Sequence, residues 1–187
     1  VVCSQNHDQV GNRMLGERLT KLVSYDMLKV AAGLVLLSPL TPMLFMGEEY
    51  GEENPFLYFV SHSDKDLVEA VRKGRKEEFS SFTWQGEAPD PQSEDTFNQS
   101  KLQRSYQHSE PHRQLRDFYK ALIRLRKSAP ALLRPDKARL HVSADSHTQV
   151  LHLIHSGESP YLYTLFNISN QPQKAKVVKE VGASWKL

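Results

Sequence analysis

The stretch "MLKVAAGLVLLSPL", Met27 to Leu40, is the tightest constraint on the fold. Leu28, Val30, Ala31, Leu34, Val35, Leu36 and Leu37 place apolar side chains on nearly every side of a helix. Asp26 sits in its first turn, where a negative charge suits the helix dipole, and Pro39 ends it. A helix that is apolar all round must be covered on most of its surface. Two short apolar runs flank it, "VVCSQ" at the start and "TPMLFMG" after Leu40. Each predicts a short buried strand, the second of the parallel kind. The order strand, polar segment, buried helix, strand, polar segment is a βαβ unit of an α/β fold. Its polar segments follow the carboxyl ends of both strands. The apolar stretch is too short and too interrupted to span a bilayer.

The rest of the chain falls into three textures. "DKDLVEAVRKGRKEEFSSF" predicts a surface helix with Leu67, Val68 and Val71 as its apolar stripe. Residues 80 to 109 show no period; a loop of this length is functional or hides short turns. "SEPHRQLRDFYKALIRLRKSAP" predicts a helix capped by Ser109, with Pro111 in its first turn and Pro130 as its stop. Leu115, Phe118, Tyr119, Leu122 and Ile123 form its stripe, widened by Leu125. From Ala138 the runs "ARLHVSA", "QVLHLIHSG", "YLYTLFNIS" and "AKVVKEV" predict an antiparallel sheet. The expected division is therefore residues 1–134 and 135–187.

Charge and cysteine content narrow the partners. Lys plus Arg number 24 against 22 Asp plus Glu, a net charge of +2. That balance argues against nucleic acid or an acidic membrane surface as partner. One cysteine, Cys3, allows no intrachain disulfide and no four-cysteine metal site; its apolar setting reads as an inert core position. A reducing cytoplasm fits. Val1 starts in mid-strand without an initiator methionine, so the chain reads as a piece of something longer.

The densest polar chemistry is "SQNHDQVGNR", Ser4 to Arg13. Beyond the carboxyl end of an α/β strand, Asp8 could be a catalytic or substrate-binding carboxylate, and His7 could donate to a hydroxyl-rich ligand. In the plainer reading, Asn6 and Asp8 only shape a turn. Glu48 and Glu49, after the second strand, either face the same mouth or simply face solvent. His152 and His155 are three apart in a strand, on opposite faces, and do not form a metal pair. No phosphate-binding glycine loop or nucleophile elbow is present.

"QNHDQVGNRMLGERL" and, after it, "LLSPLTPMLFMGEEYGEENPFLYFVSH" resemble two ordered motifs of the α-amylase family of glycoside hydrolases, an Asn-His-Asp at the seventh barrel strand and a hydrophobic run into Gly-Glu-Glu at the eighth. "PDPQSEDTFNQSKL" resembles a trehalose-releasing branch of that family. The resemblance implies the C-terminal part of a TIM (β/α)8 barrel, its seventh and eighth βα units, followed by a C-terminal β-sandwich domain. It implies cleavage, with retention and no cofactor or metal, of the α-1,4-glucosidic bond next to the trehalose end of a malto-oligosaccharide. Asp8 would stabilise the transition state and His7 would bind a sugar hydroxyl. Asn6, Gln9, Arg13 and Glu48 would orient the loop or reach substrate. The family's nucleophile and general acid stand on the fourth and fifth strands, which this chain lacks. It is therefore expected to be inactive alone, and to need the missing N-terminal barrel portion or to self-associate. Two other readings stay open: a glucan branching enzyme, which shares the catalytic apparatus, and a non-catalytic carbohydrate-binding fragment.

Overall fold

The computed structural model describes residues 1–80, 88–133, 136–156 and 161–176. The helices are α1 (His7–Gly11), α2 (Leu19–Leu22), α3 (Tyr25–Leu36), α4 (Lys65–Ser80), α5 (Glu94–Gln99), α6 (His112–Ser128) and α7 (Pro130–Leu133). Three 3-10 turns cover Glu48–Tyr50, Arg104–His108 and Lys137–Arg139. The strands are β1 (Leu140–Asp145), β2 (Val150–His155) and β3 (Leu162–Asn167). The chain divides into two units. One comprises Val1–Ser4, Asp26–Met43 and the described residues from Asp117 onward; the other comprises Gln5–Tyr25 and the described residues of Leu44–Arg116.

In the first unit α3 forms where its apolar pattern predicts, with Leu28, Ala32, Gly33, Val35 and Leu36 buried. Its carboxyl end would leave carbonyls without partners. The Arg126 guanidinium satisfies the last of them, Leu36 (2.6 Å), and donates as well to the carbonyls of Ser38 (2.7 Å) and Leu40 (2.8 Å) just beyond the helix. The β-rich tail is an antiparallel meander of order β1-β2-β3, with Val142 opposite Leu153 and Leu151 opposite Phe166. Phe166 lies over Gly33, where a Cβ would stand 2.7 Å from the ring, so this approach needs glycine. His155 is buried, and His152 bonds instead to the Tyr163 hydroxyl at 2.6 Å. Among the described residues no cluster could hold a metal ion. The runs "AKVVKEV", beyond its first two residues, and "ASWKL" lie outside the described residues.

The two flanking strands are less than expected. They meet in one parallel bridge, Val2 with Pro42, where Val2 donates to the Thr41 carbonyl (2.9 Å) and Met43 donates to the Val2 carbonyl (2.8 Å). The connection through α3 is the parallel one predicted, but no ladder extends from it. Pro42 itself offers no N–H, which limits pairing at this point. Of the second run only Phe45 is a buried apolar side chain: Met43, Leu44 and Met46 are 37%, 37% and 44% exposed, and Val1 is 86% exposed. Burial along the whole run requires neighbours on both faces, and among the described residues these side chains are only partly covered.

Each unit corrects several local expectations. The unpatterned region contains α5, capped by the Ser93 hydroxyl, and the turn Arg104–His108. Short elements of this kind carry too few residues to show a period. On α4 Val68 is buried but Leu67 is exposed, and on α6 Leu125 is partly exposed at the edge of the stripe. Ser109 does not cap α6 with its side chain; its hydroxyl donates to the Tyr106 carbonyl (3.0 Å), and its own carbonyl accepts from Arg113. Pro130 ends α6 and also opens α7, since proline suits a first helical position. Phe45, Phe56, Phe59 and Phe97 form an edge-to-face series with centroids 5.2–6.0 Å apart.

Candidate active site

The segment predicted as a polar loop closes into one turn of helix, α1. Asn6 is its N-cap: in extended backbone, its Oδ1 accepts from the Gln9 N–H at 2.7 Å. This is the turn-shaping role, and it explains why an amide stands there. His7 and Asp8 follow the cap. Their side chains touch, Nε2 to Oδ1 at 3.2 Å, and are 74% and 75% exposed. Gln9 is exposed beside them. The turn thus presents an imidazole, a carboxylate and an amide outward, an arrangement suited to hydroxyl-rich ligands.

What holds the turn lies beneath it. Val10, Gly11 and Met14 are buried. Gly16 has φ +57°, and its carbonyl accepts from the Phe56 N–H at 2.8 Å. A Cβ at Gly16 would stand 2.5 Å from the Phe56 carbonyl oxygen, so the chain passes there only as glycine. Arg13 pairs with Glu17 at 3.4 Å, a bracing contact within the loop.

Glu48 corrects the expectation that adjacent carboxylates face solvent. It is buried, in the turn between Gly47 and Gly51, and Gln5 Nε2 donates to its Oε2 at 3.5 Å. The other end of the Gln5 amide accepts from the Leu19 N–H at 2.7 Å. One buried side chain therefore closes the loop that carries His7 and Asp8 and links it to the segment after Phe45.

Two residues that sequence reasoning missed complete this base. Arg18 is 1% exposed, and its guanidinium donates to the carbonyls of Asn54 (2.7 Å) and Met46 (2.8 Å) while lying 4.9 Å from the Phe45 ring centre. Burial pulls its pKa down, while Glu52, Tyr50, Glu49 and Glu48 hold it up. Glu52 is fully buried. It accepts from the Tyr50 hydroxyl (2.8 Å) and from the N–H groups of Glu53 (2.9 Å), Asn54 (2.8 Å) and Gln103 (2.6 Å). Burial, then the bond to Glu52, raises the Tyr50 pKa. The signal was present: Glu48, Glu49, Glu52 and Glu53 crowd four carboxylates into six positions, which calls for a cation and donors nearby.

The chain is 54% identical over 127 residues to malto-oligosyltrehalose trehalohydrolase of Saccharolobus solfataricus, covering 68% of this chain and 21% of that protein. It is 47% identical over 146 residues to the enzyme of that name from Brevibacterium helvolum, covering 78% of this chain and 25% of the relative. Its fold matches a solved structure of a candidate alpha amylase from Salmonella typhimurium with TM-score 0.79 and 37% identity, covering 91% of this chain and 30% of that one. No family model matches. The chain is similar to α-amylase-family glycoside hydrolases. Within that family it matches the C-terminal part of malto-oligosyltrehalose trehalohydrolases, and it spans between 21% and 30% of the length of these curated relatives.

Proposed function

We propose that this chain is the C-terminal part of an enzyme that hydrolyses the α-1,4-glucosidic bond next to the trehalose end of malto-oligosyltrehalose and releases trehalose. The observation that carries the reading is the outward pair His7–Asp8 on a capped and buttressed turn. Asp8 accepts hydrogen bonds from sugar hydroxyls, and these tighten as the ring approaches its oxocarbenium-like transition state. Such bonds supply several kcal/mol in glycosidases. His7 donates to a hydroxyl of the same sugar. Gln9 has the exposure to reach substrate; Asn6, Arg13 and Glu48 act through the loop they hold.

In this reading residues 1–134 are the seventh and eighth βα units of a (β/α)8 barrel, and 135–187 belong to a C-terminal β-sandwich. The exposed Met43, Leu44 and Met46 are then covered by the remaining barrel. The nucleophile and general acid stand on strands outside this chain, which is inactive alone, and the intact enzyme works in the cytoplasm without cofactor. The test is Asp8→Asn in the full-length protein, assayed on malto-oligosyltrehalose. Trehalose release falls by about 10³-fold or more, with the fold retained. New α-1,6 branches in place of trehalose would instead assign a branching enzyme. Sugar binding without any bond cleavage would assign a carbohydrate-binding role.

A further inference from the structure

Helix α4 reaches the candidate site through Arg75. Arg75 is only 11% exposed at its side chain, although most residues of its helix are exposed. Its guanidinium lies between two aromatic rings, 4.7 Å from the Tyr58 centroid and 4.6 Å from that of Phe79. Nη1 donates to Glu78 at 2.7 Å, and Nη2 donates to the Gly11 carbonyl at 3.3 Å. Gly11 is the last residue of α1, the turn that opens with His7 and Asp8. A five-residue helix has little stability of its own, because nucleation is costly and each end leaves carbonyls and N–H groups unpaired. Asn6 satisfies the front end, and the Arg75 guanidinium satisfies a carbonyl at the back.

We infer that Arg75 is a positioning residue for His7 and Asp8: it clamps the carboxyl end of α1, so that the two side chains project at a fixed angle. This rests on the reading of His7 and Asp8 as substrate-binding groups. Arginine is required by geometry. Its flat guanidinium fits between two rings while donating in two directions; a lysine ammonium keeps the charge but is a point donor without the plane. Arg72, one turn earlier, has a different task, pairing with both Asp90 oxygens and with Glu69.

The experiment uses the full-length protein with Arg75→Gln and Arg75→Lys, and Lys73→Ala as an exposed control on the same helix. Two readouts are taken: steady-state kinetics on malto-oligosyltrehalose, and amide hydrogen exchange at Asn12 and Arg13, whose N–H groups bond back into α1. Arg75→Gln is expected to lower kcat about tenfold with KM changed less than twofold, and to speed exchange at both amides about tenfold. Arg75→Lys recovers part of each effect, and Lys73→Ala changes neither. Unchanged kcat and unchanged exchange in a folded Arg75→Gln protein would overturn the inference, as would a rise in KM alone, which would make Arg75 a substrate contact. Global unfolding of Arg75→Gln would leave Arg75→Lys to decide by the same two readouts. If no variant and no wild-type protein releases trehalose while exchange still responds, the reading of the reaction fails and the clamp stands.

Discussion

The Arg18 guanidinium donates to the Asn54 carbonyl at 2.7 Å from a side chain that solvent barely reaches. With its second bond, to Met46, it ties the two ends of the segment holding Glu48 and Glu52. Removing it leaves two carbonyls without their donor and the buried Glu52 without its nearby cation. Arg18→Leu is expected to cost about 3 kcal/mol. Chemical unfolding of the variant checks this, and an unchanged midpoint would show that the guanidinium bonds are not needed.

Gly16 supports the same loop from the other side. With φ +57° and the Phe56 backbone against the missing Cβ, Gly16→Ala must either strain or move the chain. The expected loss is at least about 2 kcal/mol, and the loop shift should reduce turnover as well. Thermal unfolding together with a turnover assay separates the two effects. A variant as stable and active as the parent would rule out the close packing described.

His155 predicts a pH dependence. Burial lowers its pKa, the contact with the Leu37 backbone opposes this, and the nearby Arg126 charge lowers it further. The folded protein therefore holds this proton less tightly than the unfolded chain, whose histidine titrates near 6.5. Stability is full above that value and falls as pH drops from about 6.5 toward the folded pKa. Urea unfolding at pH 7.5 and at pH 5.5 measures the slope, and His155→Gln should flatten it. An equal slope in the variant would assign the dependence to another group.

The exposed run Met43, Leu44 and Met46 predicts how the isolated chain behaves. Three large apolar side chains within four positions, each more than a third exposed, favour association. Light scattering of the isolated 187-residue chain should show self-association that rises with concentration. A monodisperse monomer at high concentration would contradict this.

Local chemistry determined much of this molecule. The run from Leu28 to Leu37 could only be a well-covered helix, and the four-residue spacing of Leu115, Tyr119 and Ile123 could only be an amphipathic one. The alternating tail reads as strands because period two is a property of the pleat. The polar cluster at Asn6, His7 and Asp8 was legible as a candidate site because it follows the carboxyl end of a predicted α/β strand, where such folds place their chemistry.

Tertiary structure alone decided the rest. Whether Glu48 faced water or the interior depended on Gln5, forty-three positions away, and whether Arg18 was a surface cation depended on the carbonyls of Met46 and Asn54. The two short apolar runs read as buried strands, but burial is a property of neighbours and not of the run. Arg75 looked like one charge among many on α4, because nothing in its own helix announces Gly11, Tyr58 and Phe79 around it. Periodicity reports a residue's own backbone; partners far along the chain are set only when that backbone folds back on itself.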